Sequence, residues 1–180
     1  MCSLDFFPTA VYVLFCEIVC VFMDELLLFI DGSVNTRTKI GYGAYLAVSE
    51  HGLPPASLGP RVQLRRFAQT SSTKLELQTL LWALSDIQAL GRKVVVHTDS
   101  QNIMGLRNRR DRFEQHDYRA KNKQRLNNYE LYQEFYRMTD QLHCELVKVR
   151  GHKAAKQKDD IDRLFTLVDR AARNALRGDK

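Results

Sequence analysis

Proline and glycine are sparse, at four and nine residues in a chain of 180, which excludes a collagenous, low-complexity or disordered polymer. Cysteine is equally scarce. The four cysteines stand at 2, 16, 20 and 144, three of them in an apolar leader, without the paired spacing of a zinc site or a secreted disulfide framework. A reducing, cytoplasmic setting is expected. No apolar run approaches the roughly 20 residues that cross a bilayer, since Val11 to Met23 is broken by Glu17. The first ten residues lack Lys and Arg and carry Asp5, against the pattern of a secretory signal.

What is present is the composition of a folded domain, 44% hydrophobic and 27% charged, at a length that buries a sizeable core in one unit. Residues 1–23 hold only Asp5 and Glu17 among charged side chains. The rest therefore carries 27 basic against 19 acidic groups, a net +8 that favours polyanionic partners such as nucleic acid. The chain divides into an apolar leader, residues 1–22, and one domain, residues 23–180. The leader is either an extra packed element or upstream sequence read from a start before Met23, and the second is preferred because organised sequence begins there.

Leu26 to Ile30 (LLLFI) reads as a buried strand stopped by a turn at Asp31-Gly32-Ser33. Gly41 to Val48 and Gln63 to Ala68 add two more strands, an antiparallel meander. Thr70 to Thr73 offers N-caps for a long helix with an apolar face from Leu75 to Leu90, closed by Gly91. Val94 to Val96 returns as a buried strand, parallel to the first by virtue of the helical crossover. A short helix starts at Gln101, and a strongly basic stretch runs from Arg107 to Arg125. A helix over Asn128 to Met138, a strand over Glu145 to Val149 and an amphipathic helix over Asp162 to Leu176 complete the domain. Trp82 and Tyr132, on helices at apolar spacing, are assigned to the core.

Three acids occupy places where elements expose them: Asp31 after LLLFI, Asp99 after VVVHT, and Glu76 early in the long helix. Any one alone is an ordinary cap or turn residue. Together they are different, because strands adjacent through the crossover bring Asp31 and Asp99 side by side, with Glu76 in reach. Ionised carboxylates within about 4 Å repel by roughly 4 kcal/mol per pair at an effective dielectric near 20, so such a cluster calls for cations or protons. Oxygen-only ligands select hard ions, Mg2+ first and Mn2+ as a substitute. Two such ions clamp the attacking and leaving oxygens of a phosphoryl displacement. A basic domain with this site suggests a nuclease.

The chain resembles the type I ribonuclease H family through FIDGS at 29–33, TKLEL at 73–77, HTDSQN at 97–102, VRGHK at 149–153 and VDRAAR at 168–173. Each motif is weak alone, but five stand in family order between Leu26 and Leu176. The resemblance implies a ribonuclease H-like α/β fold: a five-stranded mixed sheet, three antiparallel strands then two parallel, flanked by helices. It implies hydrolysis of the RNA strand of RNA/DNA hybrids by a two-metal-ion mechanism, leaving 3'-hydroxyl and 5'-phosphate ends. Asp31, Glu76, Asp99 and Asp169 become the metal-binding carboxylates and His152 a mobile catalytic histidine. Asp31 is then shared by both metals, and Asp169 holds the ion that activates the nucleophile. Asp162, in IDRLF, is the alternative to Asp169; the Asp-x-Ala-Ala-Arg run favours Asp169 and lengthens the loop after His152.

Substrate contacts are expected from Gly32, Ser33, Ser72, Thr73 and Gln101, where the family uses backbone and small polar groups to recognise RNA 2'-hydroxyls. Ser72 and Thr73 replace amide side chains of well-known relatives. Arg107, Arg109 and Arg110 open the basic stretch, where some relatives carry a protrusion that grips the hybrid through phosphates. A monomer acting on hybrid without a membrane is expected. The competing functions are another nuclease or resolvase of the same superfamily, and a catalytically silent nucleic-acid-binding module.

Overall fold

The structure is a computed structural model that describes residues 25–49, 55–87, 92–150 and 158–179. The leader 1–22 and His152 lie outside the described residues. Five strands form one sheet in the order β3-β2-β1-β4-β5. They are β1 (Leu26–Asn35), β2 (Ile40–Val48), β3 (Gln63–Phe67), β4 (Val94–Thr98) and β5 (Glu145–Lys148). The first three are antiparallel, and β1, β4 and β5 run parallel. This is the expected mixed sheet. A single-turn helix α1 (Pro55–Leu58) precedes β3, and α2 (Ser72–Asp86) makes the crossover from β3 to β4. Three further helices, α3 (Gln101–Met104), α4 (Arg110–Gln115) and α5 (Tyr129–Gln141), lie between β4 and β5, and α6 (Asp160–Gly178) ends the chain.

Alternation along β1 assigns the two layers. Leu28 and Ile30 enter a core with Leu77, Leu80 and Leu84 of α2 and Phe135 of α5. Phe29 turns to the opposite face, into a second core with Leu164, Phe165, Val168 and Ala172 of α6. Trp82 packs at the margin of the first core and Tyr132 within it.

Two boundaries differ from expectation in ways that matter for the site. Asp31-Gly32-Ser33 is not a turn: β1 continues to Asn35, because β2 pairs with it residue for residue through Asp31 opposite Ala44 and Ser33 opposite Tyr42. Gly32 is required there by close packing, since a Cβ would come within 2.9 Å of the Leu75 side chain. The long helix stops earlier than its apolar spacing suggests, at Asp86, with Ile87 already extended. Its N-cap is Ser71, whose hydroxyl accepts from the Lys74 amide.

Candidate active site

The parallel register places the two central acids. Leu28 stands opposite Val96 and Phe29 opposite His97, and the ladder ends there. Asp31 and Asp99 each follow by two residues, on the same face of neighbouring strands. Beneath them Phe29 and His97 stack, their rings 4.8 Å apart and 15° from parallel. Because β1 overshoots β4, this end of the sheet opens at the acids.

The third acid comes from α6. Val168 is fully buried against the sheet, so its neighbour Asp169 is delivered to the same edge, where its carboxyl shares a hydrogen bond with Asp31. Asp162, two turns earlier, is committed elsewhere: it is buried and serves as the N3 partner of Asp159 in a capping box. The fourth, Glu76, lies one turn into α2 in the opposite layer. It accepts a 2.5 Å hydrogen bond from the hydroxyl of Ser100, whose Oγ also accepts from the Ile103 amide as the N-cap of α3.

Electrostatics mark Asp31 as the centre. Burial pushes its carboxyl up to about 8, helped by the charges of Asp99 and Asp169 and opposed by the Gly32 amide. Glu76 is also raised, first by burial and then by Asp99, with the Ser100 hydrogen bond working against both. The cluster therefore concentrates carboxylates, with Arg173 on Asp169 as its one ion-pair partner among the described residues. Its donors are all oxygen, the set that hard divalent ions take, so by chemistry they fit such an ion. As placed, no group of three or more His, Cys, Asp or Glu among the described residues stands close enough to hold one. Two side chains are visibly drawn off: Glu76 by Ser100, and Asp169 by Arg173, at 2.7 Å one turn along α6.

A pH dependence follows. Asp31 binds its proton more tightly folded than unfolded, so its stabilising contribution is complete below about pH 4, declines as the pH rises, and is lost through about pH 8. Chelator-treated protein should lose about 2 kcal/mol or more of unfolding free energy across that window. Urea titrations at stepped pH measure it, and added Mg2+ should restore most of the loss at the alkaline end. A pH-independent midpoint would contradict the coupling.

Ser100 and Arg173 escaped the reading of the sequence. The signal for Ser100 was its place in HTDSQN directly after Asp99; for Arg173 it was the i,i+4 spacing from Asp169. Removing the Ser100 hydroxyl in Ser100→Ala should cost about 1 kcal/mol through the lost cap. It should also weaken Mg2+ dependence of any activity by releasing Glu76, read as a shifted Mg2+ titration beside a thermal melt.

The expected substrate-contact residues flank the acids. Gly32 and Ser33 continue β1, Ser72 and Thr73 form the first turn of α2, and Gln101 is exposed at the start of α3. The three arginines are already engaged within the chain. Arg107 donates to the Cys144 carbonyl, Arg109 to the Gly105 and Asn102 carbonyls, and Arg110 pairs with Glu114 and Asp140.

With this geometry in hand, comparison is decisive: the RNase H family model matches residues 23–176. The chain belongs to the RNase H family. No curated protein matches it. Membership brings the family's general activity, ribonuclease H hydrolysis acting on RNA/DNA hybrids. Among the described residues no helix is long and apolar enough to cross a membrane.

Proposed function

We propose that this RNase H chain is a type I enzyme: a divalent-metal-dependent endoribonuclease that cuts the RNA strand of RNA/DNA hybrids and leaves 3'-hydroxyl and 5'-phosphate ends. The observation that carries it is Asp31, half-buried at the open end of the sheet, its carboxyl raised first by desolvation and then by Asp99 and Asp169. A binding module for phosphate has no use for such a concentration of negative charge, which repels its ligand.

In this proposal Asp31, Glu76, Asp99 and Asp169 hold Mg2+, or Mn2+ in its place. When bound, two such ions supply a nucleophile at neutral pH and charge stabilisation for the leaving oxygen. The chain's own residues do the rest. Asp31 lies between Asp99 and Asp169 and is the carboxylate both sides of the site share. Ser100 orients Glu76, and Arg173 holds Asp169 until a stronger cation competes. Gly32, Ser33, Ser72, Thr73 and Gln101 meet the RNA strand beside the scissile phosphate, where small groups permit close approach to 2'-hydroxyls. His152, next to the site in the family pattern, moves a proton or aids product departure. The enzyme acts as a cytoplasmic monomer.

The test is incubation with Mg2+ and end-labelled RNA/DNA hybrid, duplex DNA and duplex RNA. Cleavage of the hybrid's RNA strand alone, lost in Asp99→Asn, is the expected result. Equal cutting of duplex DNA points to a resolvase or DNA nuclease of the same superfamily, and tight binding without cutting points to a silent module.

A further inference from the structure

Two elements that meet at the acids run on together beyond them. Asp31, Ser33 and Asn35 succeed one another at alternate positions of β1, on the face that Phe29 turns towards α6. Asp169, hydrogen-bonded to Asp31, is followed at one-turn intervals along α6 by Arg173 and Arg177. Asn35 lies about 13 Å beyond Asp31 by strand rise, and Arg177 about 12 Å beyond Asp169 by helix rise. Both arrive at one cavity of about 490 Å3, whose lining includes Asn35, Thr38, Ile40, Leu176, Arg177 and Asp179.

The charge along this path has one sign. No acid lies between Asp31 and Glu50, where the turn at 36–39 carries Arg37 and Lys39, and none between Asp169 and Asp179, where α6 carries Arg170, Arg173 and Arg177. Of these five cations only Arg173 has a carboxylate partner among the described residues. Asp179, the one acid among the described residues lining the cavity, is engaged by Arg66 at 3.1 Å and by the Tyr42 hydroxyl.

Neutral donors share the lining with Arg177. Asn35 Oδ1 accepts from the amides of Arg37 and Thr38 at 3.0 and 3.3 Å, which leaves its Nδ2 to donate, and Thr38 adds an exposed hydroxyl. Ile40, opposite Asn35 in the ladder, and Leu176 supply half-buried apolar surface. A cation, two neutral donors and apolar surface beside them match a sugar-phosphate unit, and continuity with the acids selects a nucleic acid strand.

We propose that this cavity seats a phosphate of the cut strand at a fixed offset from the scissile bond. Arg177 is its cation, Thr38 and Asn35 its neutral donors, and the adjoining sugar packs on Ile40 and Leu176. The assignment rests on the proposed function in taking the cut strand as the ligand. It makes the end of α6 a grip on the backbone that carries no sequence information.

The full chain is titrated with a hybrid in EDTA, by fluorescence anisotropy, between about 50 and about 200 mM salt. Arg177→Ala should weaken binding about tenfold at the lower salt and reduce the salt slope by about one, as one lost phosphate contact does. Arg177→Lys should keep the slope. Arg163→Ala removes an equal charge about 21 Å away on the same helix, from a residue already paired with Asp160, and should leave the slope unchanged. An unaltered slope in Arg177→Ala overturns the proposal, as does an equal drop in Arg163→Ala.

The offset is read under Mg2+ from hybrids with one short cleavable ribonucleotide stretch and a single uncharged methylphosphonate moved along the same strand. At one offset the methylphosphonate should lower kcat/KM about tenfold in the wild type and have no further effect in Arg177→Ala. Losses that multiply at every offset overturn the assignment to the cut strand. A chain that cleaves no hybrid, yet loses slope in Arg177→Ala and not in Arg163→Ala, has lost the nuclease proposal and kept the phosphate site.

Discussion

Asp31→Asn should abolish cleavage of the hybrid and at the same time make the metal-free protein more stable. The loss of activity should be at least about 10^3-fold, because the charge stabilisation a held ion supplies is worth several kcal/mol and each 1.4 kcal/mol is tenfold in rate. The gain in stability comes from the other side of the same property. Asp31 is raised to about 8 by burial and by two neighbouring carboxylates, so near neutral pH the fold carries either a strained charge or the cost of a proton. An amide of nearly the same shape has no charge to bury and donates to Asp169 through its NH2. The variant should therefore unfold at higher urea than chelator-treated wild type at pH 8, by about 2 kcal/mol, and show a flatter pH profile. Wild type with Mg2+ should close much of that gap. An inactive variant that is also less stable would mean that Asp31 is a structural residue.

Phe29→Ala should be the most damaging single change to the fold. The ring is fully buried, stacks on His97, and belongs to the core that seats α6 through Val168 and Ala172. Truncating a buried phenylalanine costs about 3 to 5 kcal/mol, a large part of the stability of an ordinary domain. For a chain of this size that amounts to a fall of about 10 °C in Tm. Activity should fall more steeply than the folded fraction, because the cavity lies directly beneath Asp31 and Asp99 and loosens the helix that delivers Asp169. Phe29→Leu should recover most of both. Loss of Tm with unchanged specific activity would separate the site from the layer below it.

Much of this organisation is legible in the sequence because it rests on local signals. LLLFI and VVVHT are runs that only a strand covered on both faces accommodates, and the intervening helix forces them parallel, which aligns Asp31 with Asp99. The fate of Asp31-Gly32-Ser33 was hidden because Asp, Gly and Ser signal turns, while the pairing of Gly32 with Gly43 and the crowding by Leu75 are tertiary facts that override the signal. Likewise, the basic stretch reads as free charge, and only the folded chain reveals that Arg107, Arg109 and Arg110 serve the protein's own carbonyls and carboxylates. Side chains as long as arginine choose their partners by what the fold places within reach. Asp169 and Asp162 share a helix face in the sequence, and burial separates them: one is a cap partner, the other meets Asp31.

The account turns on divalent ions held jointly by carboxylates from β1, β4 and α6. Anomalous diffraction from crystals of the full chain soaked in Mn2+ tests this most directly. The expected result is a peak bridged by Asp31 and Asp99, with Asp169 turned away from Arg173 towards the metal and Glu76 released from Ser100. Peaks confined to surface carboxylates, with Asp31 still protonated against Asp169, would contradict it.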